Sequence, residues 1–273
     1  MSVRAVVLDL DGTCLDDQQR LHPRIRDAVN AAATRLPVIV ATGRMYVSAL
    51  PWVRLLGANQ PLVCYEGAVV RELPDDPQTL GPVLREELLG REPATRALHL
   101  ARARGWHFQG YVDEKLVCES LRPEAEHYSR VAGVPVTLVD DLEPFLAGGT
   151  PKAVCVVIDP EEVERCMRDM SAHLDGLARV TRSRTEYVEI VSPSVNKAAA
   201  CEFVCERLGL TMKDAVAIGD APNDIEMLDA AGYAVAISTG RPEVIAHADA
   251  TCAPPETAGV ADVLAALNLV SRA

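Results

Sequence analysis

The chain has 273 residues, with 27 Lys and Arg against 39 Asp and Glu for a formal charge of −12, and 49% of it is hydrophobic. A surplus of acidic groups repels phosphate backbones and anionic lipid, and no local basic patch offsets it, so neither nucleic acid nor a membrane surface is an expected partner. The length allows one large domain or two modest ones, each with a sizeable core.

Residues 3–8 form a continuous apolar run, the pattern of a strand buried on both faces of a parallel sheet. The N-terminal stretch lacks the length and small-residue cleavage site of a signal peptide. Residues 23–35 have helical period, with Ile25, Val29 and Ala32 on one side, and residues 36–41 and 62–65 are further apolar strands. The turn-rich Leu73-Pro74-Asp75-Asp76-Pro77 closes this part. From about residue 83 to 191 the pattern changes. Strand-like stretches come in adjacent pairs, 106–112 with 115–119 across Asp113-Glu114 and 178–182 with 187–191, and helical segments lie at 93–104 and 160–175. After Ser192-Pro193-Ser194 come a helix at 197–208 and strands at 215–218 and 233–237. The expected fold is α/β: a doubly wound, mainly parallel sheet formed by residues 1–80 and 192–273, with an α+β domain inserted at 81–191. The eight cysteines show no C-x-x-C pair and read as reduced, buried thiols of a cytoplasmic protein; Cys201 and Cys205, four apart, lack further metal ligands. No run approaches the roughly 18 apolar residues of a membrane span.

Three of the apolar runs end in polar groups that a buried strand has no structural reason to carry. They are Asp9-Leu10-Asp11-Gly12-Thr13, Thr42-Gly43-Arg44 and Gly219-Asp220. The carboxyl ends of parallel strands converge on the ligand crevice of a doubly wound sheet, so these groups are expected together. Asp9 and Asp11 are two apart, and their side chains share a face if the strand pattern persists to its end. Crowded carboxylates repel one another. A divalent cation relieves them, and Asp220 adds a third hard oxygen ligand of the kind Mg²⁺ prefers. One carboxylate can then attack phosphorus while its neighbour handles protons. Thr42 offers a hydroxyl and Gly43 an unencumbered amide to a phosphoryl oxygen, while Lys197 brings positive charge to the transferring group. Asn223 and Asp224 complete a polar cluster after the 215–218 strand, where either could also cap a helix.

In this order, the motifs resemble the haloacid-dehalogenase-like phosphatases, and within them the Cof-type subfamily, whose α+β cap is inserted into the core. The likeness spans nearly the whole chain, with its specific motifs in the core. It implies a Rossmann-like core, an aspartyl-phosphate formed on Asp9, and Asp11 as the acid/base that protonates the leaving alcohol and then activates water. It also implies that Thr42 and Lys197 hold the phosphoryl group, with Gly43 and Asn223 beside them, and that Mg²⁺ lies on Asp9, the Asp11 carbonyl and Asp220. Asp224, with Asn223, matches the position that tethers the lysine or metal-bound waters. The chain departs from the pattern at Glu66-Gly67-Ala68, where members usually carry Asn-Gly-Ala, and at Ser238-Thr239-Gly240-Arg241, where an Asn-Ala pair is common.

The expectation is therefore a cytoplasmic, Mg²⁺-dependent phosphatase, monomer or homodimer, acting on a small phosphate ester, with sugar phosphates first. Candidate selectors of the leaving group are Glu66, Arg44, His107 and Arg184, joined by Tyr111, Arg122, Arg182 and Tyr187. One rival is a phosphomutase that passes the phosphoryl group from the same aspartate to another hydroxyl. The other is a non-enzymatic metabolite sensor, against which stands the retention of a buried cluster of mutually repelling charges.

Overall fold

A computed structural model describes residues 3–76 and 79–269, so Pro77 of the expected linking turn lies outside the described residues. The strands in chain order are β1 (Ala5–Leu8), β2 (Val38–Val40), β3 (Leu62–Cys64), β4 (Val69–Arg71), β5 (Val83–Glu86), β6 (His107–Val112), β7 (Lys115–Cys118), β8 (Val136–Leu138), β9 (Ala153–Val156), β10 (Arg179–Thr181), β11 (Tyr187–Val191), β12 (Ala215–Gly219), β13 (Tyr233–Ile237) and β14 (Ala250–Cys252). The helices are α1 (Pro23–Ala33), α2 (Tyr46–Leu56), α3 (Arg91–Arg104), α4 (Pro123–Ala132), α5 (Pro160–His173), α6 (Lys197–Arg207), α7 (Ile225–Ala230), α8 (Pro242–Ile245) and α9 (Gly259–Ala266). Two compact units result. Of the described residues, the first comprises 3–43, 49–76, 79–84 and 196–269, and the second comprises Arg44–Ser48 and Arg85–Val195.

The first unit is built on a five-stranded sheet in the order β14-β13-β12-β1-β2, parallel throughout. Its strands read as unbroken apolar runs because helices cover both faces. Ala5, Val7, Ala215 and Ala217 pack with Ala200, Val204 and Met227 from α6 and α7 in one core cluster. Helix α1, with Ile25, Val29 and Ala32 buried, packs beside α9. Beyond β2 a parallel bridge from Ala41 to Val63 leads to β3, which runs antiparallel to β4 in a three-stranded sheet completed by β5. The register between β1 and β12 sets Leu8 opposite Ile218, and the Asp9 N–H continues it by donating to the Ile218 carbonyl at 3.0 Å. The residues that follow these two strands therefore emerge side by side.

The second unit has a six-stranded sheet in the order β10-β11-β9-β6-β7-β8, antiparallel except for the β7–β8 pair. The expected hairpin turn at Asp113-Glu114 has φ of 49° and 57°, the left-handed pair that a tight two-residue turn requires. One face is apolar: Phe108, Cys155, Val188 and Ile190 pack with Leu98 and Ala101 of α3 and with Val163 and Cys166 of α5. Alternate positions on β6 and β11 carry His107, Gln109, Tyr111 and Glu189, all buried. Glu189 accepts from Lys152, and Tyr128 of α4 stacks 4.9 Å from Tyr187. Helix α4 was not evident in the sequence, because its only buried positions are Ala125 and Tyr128, too few to give a period.

All eight cysteines are free thiols, seven of them buried. Among the described residues no helix is long and apolar enough to cross a membrane.

Candidate active site

Asp9 leaves the end of β1 and is 4% exposed. The regular strand ends at Leu8, one residue before Asp9, so the alternation on which the expected shared face of Asp9 and Asp11 was conditioned stops short of them. The cause is a tight turn in which the Cys14 and Leu15 N–H groups both donate to the Leu10 carbonyl and Gly12 adopts φ +83°. The Asp11 carboxylate accepts from Gln19 Nε2 at 3.2 Å. Gly12 is required for space as well as for conformation, since a Cβ there would lie 2.3 Å from Asp220 Oδ2.

Lys197 opens α6, whose N-cap is Asn196, with the Asn196 Oδ1 accepting from the Ala199 N–H at 2.8 Å. A buried cation at a helix N-terminus opposes the helix dipole and must be compensated. The compensation is direct: Lys197 Nζ donates to Asp9 Oδ1 at 2.5 Å and to Asp224 Oδ1 at 2.7 Å. Asp224 is itself fixed, its Oδ2 accepting from the Asp220 and Ala221 N–H groups at 3.0 and 3.1 Å. Asp220 accepts from the Thr13 hydroxyl at 2.9 Å. Thr13 was not singled out from the sequence as a partner, although it belongs to the same acidic turn.

Oxygens of Asp9, Asp220 and Asp224 lie within 4.8 Å of one another. The electrostatics show the strain of that crowding. Burial raises the Asp9 pKa well above the usual carboxylate range; Lys197 works against this, and Asp224 and Asp220 add to it. Burial, reinforced by Asp224, pushes Asp220 up to about 7. Burial disfavours the Lys197 ammonium, but Asp224, Asp9 and Glu66 outweigh it and hold its pKa well above the ordinary lysine value. Several carboxylates thus share a single ammonium, and hard oxygen donors left short of positive charge fit a divalent cation of the Mg²⁺ type. Both Asp224 oxygens are taken by Lys197 and backbone N–H groups, which leaves Asp9 and Asp220 as the better-placed side-chain ligands. A cavity of about 240 Å³, lined by Gly12, Asp16, Asp17, Asp220, Thr239 and Gly240 among others, opens at Asp220.

Thr42 follows β2, is 1% exposed, and donates its N–H to the Val63 carbonyl at 2.9 Å. Its own carbonyl accepts from the Glu66 N–H at 3.2 Å. Glu66 is 2% exposed and lies in an arch in which Tyr65, Glu66 and Gly67 have φ of 52°, 63° and 99°. Its Oε2 accepts from Asn223 Nδ2 at 2.8 Å. No periodicity announces such an arch; the only sequence signal was Glu66 at a position where the resembled family differs.

Asp9, Lys197, Asp220 and Asp224 are thus joined in the first unit by hydrogen bonds and close carboxylate approach, and the Glu66–Asn223 pair adjoins them through the charge of Glu66 on Lys197, with Thr42 bonded to Glu66 through the backbone. The remaining candidate selectors belong to the second unit. Arg44 is 8% exposed and lies 3.4 Å from the Ser48 hydroxyl. His107 is buried, within 3.2 Å of Gln109 Oε1. Arg184 donates to Glu186 at 3.2 Å, Arg122 to the Gly105 carbonyl at 2.9 Å, and Arg182 to Glu164 at 2.8 Å. Tyr111 and Tyr187 are buried in the sheet.

Known proteins show the same arrangement of chain. Over 266 residues the sequence is 26% identical to the phosphoglycolate phosphatase of Methanothermobacter thermautotrophicus, covering 96% of this chain and 97% of that one. It is 29% identical over 248 residues to the HMP-PP phosphatase of Serratia proteamaculans, covering 88% and 86%. Among solved structures, a haloacid dehalogenase-like hydrolase from Bacteroides thetaiotaomicron superimposes with a TM-score of 0.85 at 22% identity, over 97% of this chain and all of that one, a likeness of fold. Residues 6–264 match the haloacid dehalogenase-like hydrolase family, and to that family of hydrolases the chain belongs.

Proposed function

We propose that the protein is a Mg²⁺-dependent phosphatase that hydrolyses a small phosphorylated metabolite, a sugar phosphate foremost, through an aspartyl-phosphate on Asp9. The observation that carries this reading is the Lys197 ammonium held between Asp9 and Asp224 at the ends of two adjacent parallel strands. A carboxylate so placed is oriented, and the cation beside it is positioned to take up charge on a transferring phosphoryl group.

In the first half-reaction an Asp9 oxygen attacks phosphorus and the bond from phosphorus to the ester oxygen breaks. Asp11, protonated, gives its proton to the departing alkoxide. In the second, Asp11 takes a proton from water, the hydroxide attacks phosphorus, and the bond to Asp9 breaks to release phosphate, which restores the Asp9 carboxylate and leaves Asp11 protonated as at the start. Thr42, the Gly43 N–H and Lys197 hold the phosphoryl oxygens throughout. Mg²⁺, held by Asp9, the Asp11 carbonyl and Asp220, would neutralise the crowded carboxylates and the phosphoryl oxygens. The relatives are named for two different phosphate esters, phosphoglycolate and HMP-PP. What they share is the phosphoryl group, so we assign choice of the leaving group to the second unit, as a cap, with Arg44, His107 and Arg184 as its candidate selectors.

The test is phosphate release from a generic aryl phosphate and a panel of sugar phosphates, with Mg²⁺ and with chelator, for the wild type and Asp9→Asn. The amide is nearly isosteric with the carboxylate but is no nucleophile. Release is expected to need both Mg²⁺ and Asp9. Release that persists in Asp9→Asn overturns the covalent mechanism, and silence of the wild type across the panel overturns the phosphatase reading.

A further inference from the structure

Asn223 and Glu66 are both buried, 4% and 2% exposed, and their side chains meet at 2.8 Å. A carboxylate can only accept, so the Asn223 amide must turn its Nδ2 toward Glu66. That leaves Asn223 Oδ1 as a buried oxygen with no hydrogen-bond partner. An orphaned buried acceptor beside a reacting cluster calls for a donor that arrives from outside the protein. Glu66 is itself rigidly held. Its N–H is tied to the Thr42 carbonyl, two non-glycine residues of its arch lie in the left-handed region, and a Cβ on Gly67 would lie 2.4 Å from the Asn196 carbonyl oxygen. Backbone held this way is strained and persists only where the surroundings enforce it.

We infer that Glu66 is a positioning residue that fixes the amide of Asn223 so that Asn223 presents an acceptor oxygen to an O–H donor, the attacking water or a hydroxyl of the leaving alcohol. The inference rests on the phosphatase reading above and revises the expected part of Asn223 as a phosphoryl ligand. A phosphoryl oxygen is an anion and finds nothing in a carbonyl oxygen. It could be met only by the second Nδ2 hydrogen.

An exchange of the pair separates these alternatives. Asn223→Asp alone sets a second carboxylate against Glu66. Combining Glu66→Gln with Asn223→Asp reverses donor and acceptor, conserves total charge, and still leaves an oxygen free at position 223. Thermal unfolding of the metal-free proteins reports the pairing: Asn223→Asp lowers Tm and the exchanged pair restores most of the loss. Calorimetric binding of inorganic phosphate in Mg²⁺, and kcat and KM with an aryl phosphate and a sugar phosphate, report the role. The exchanged pair is expected to keep phosphate affinity within about threefold of wild type and to regain at least about tenfold in kcat over Asn223→Asp, the scale of a restored hydrogen bond to a charged group. Recovery with both substrates assigns the donor to water, and recovery with the sugar phosphate alone assigns it to a leaving-group hydroxyl. If the exchanged pair is folded but binds phosphate at least about tenfold more weakly than wild type, Asn223 meets the phosphoryl group through its N–H and the inference falls. It also falls if Tm is not restored. A wild type that releases no phosphate from any ester overturns the phosphatase reading and the acceptor role with it, while the Tm comparison still reports whether Glu66 holds Asn223.

Discussion

Asp224 carries Lys197: one of its oxygens accepts from the ammonium at 2.7 Å, and the other accepts from the N–H groups of Asp220 and Ala221. A single carboxylate therefore fixes both the cation and the loop that bears Asp220. Gly219 makes this possible, because a Cβ there would lie 2.7 Å from the Asp224 side chain. Asp224 thus acts on the reacting groups through its neighbours.

Removing that carboxylate leaves a buried ammonium half-compensated and frees two backbone donors. Asp224→Ala is expected to cost about 3–5 kcal/mol of stability, the range for breaking a buried ion pair from one side. Urea unfolding measures it, and a loss under about 1 kcal/mol would mean that the surroundings supply another partner. Turnover should fall together with Mg²⁺ affinity, since the Asp220 loop loses its anchor.

The Asp220 pKa of about 7 gives a pH dependence with a definite sign. In the unfolded chain the same carboxyl titrates near the ordinary value of about 3.9, so the folded, metal-free protein holds the proton more tightly. Its stabilising contribution is complete below about pH 4 and is lost as pH rises through about 7. A cation that binds the ionised form has more to restore at high pH. Mg²⁺ should therefore raise Tm by roughly 2–4 °C more at pH 8 than at pH 5.5, and Asp220→Asn should shrink the difference to the share that Asp9, also raised by burial, retains. An equal Mg²⁺ effect at both pH values would detach Asp220 from the cation.

The parallel sheet was legible because buried strands of an α/β core are continuous apolar runs, and the runs ending at Leu8, Ala41 and Ile218 each led into a polar turn. The apparent exception was Asp9 and Asp11. Their expected shared face rested on the strand continuing through Asp11, but the regular strand ends at Leu8; the Asp11 carboxylate accepts from Gln19, and its charge still acts on Asp220. Asp224 joins Asp9 and Asp220 in the acidic cluster, a consequence of three-dimensional packing after β12 that spacing along the chain does not encode. The Glu66–Asn223 pair was equally hidden, since its partners are 157 positions apart and meet through a left-handed arch that has no signature in periodicity.

Gly12 separates conformational from chemical demands. Alanine there would have to accept φ +83° and place its Cβ 2.3 Å from an Asp220 oxygen. The backbone strain costs on the order of 1–3 kcal/mol. The displaced carboxylate affects the cation more. Gly12→Ala is expected to remain folded, with a lowered Tm, and to raise the Mg²⁺ concentration for half-maximal activity at least about tenfold, equivalent to about 1.4 kcal/mol of binding. An unchanged Mg²⁺ requirement would show that Asp220 can retreat without leaving the site.

His107 tests the second unit apart from the chemistry. Burial lowers its pKa below the ordinary histidine value, with a smaller opposing effect from the hydrogen bond to Gln109. A lowered histidine pKa means that the fold prefers the neutral ring, so its contribution is complete above the unfolded value of about 6.5 and is lost as pH falls below it. In His107→Gln, which keeps a polar partner for Gln109 but cannot titrate, the fall in Tm between pH 7 and pH 5 should be smaller than in wild type. If instead the two proteins fall in parallel, His107 is protonated without cost and must face water or a carboxylate. Activity measured alongside then bears on its role as a selector: a change in KM across the sugar phosphate panel with the aryl phosphate unaffected assigns it to the leaving group. A uniform loss assigns it to the integrity of the β6–β9 sheet.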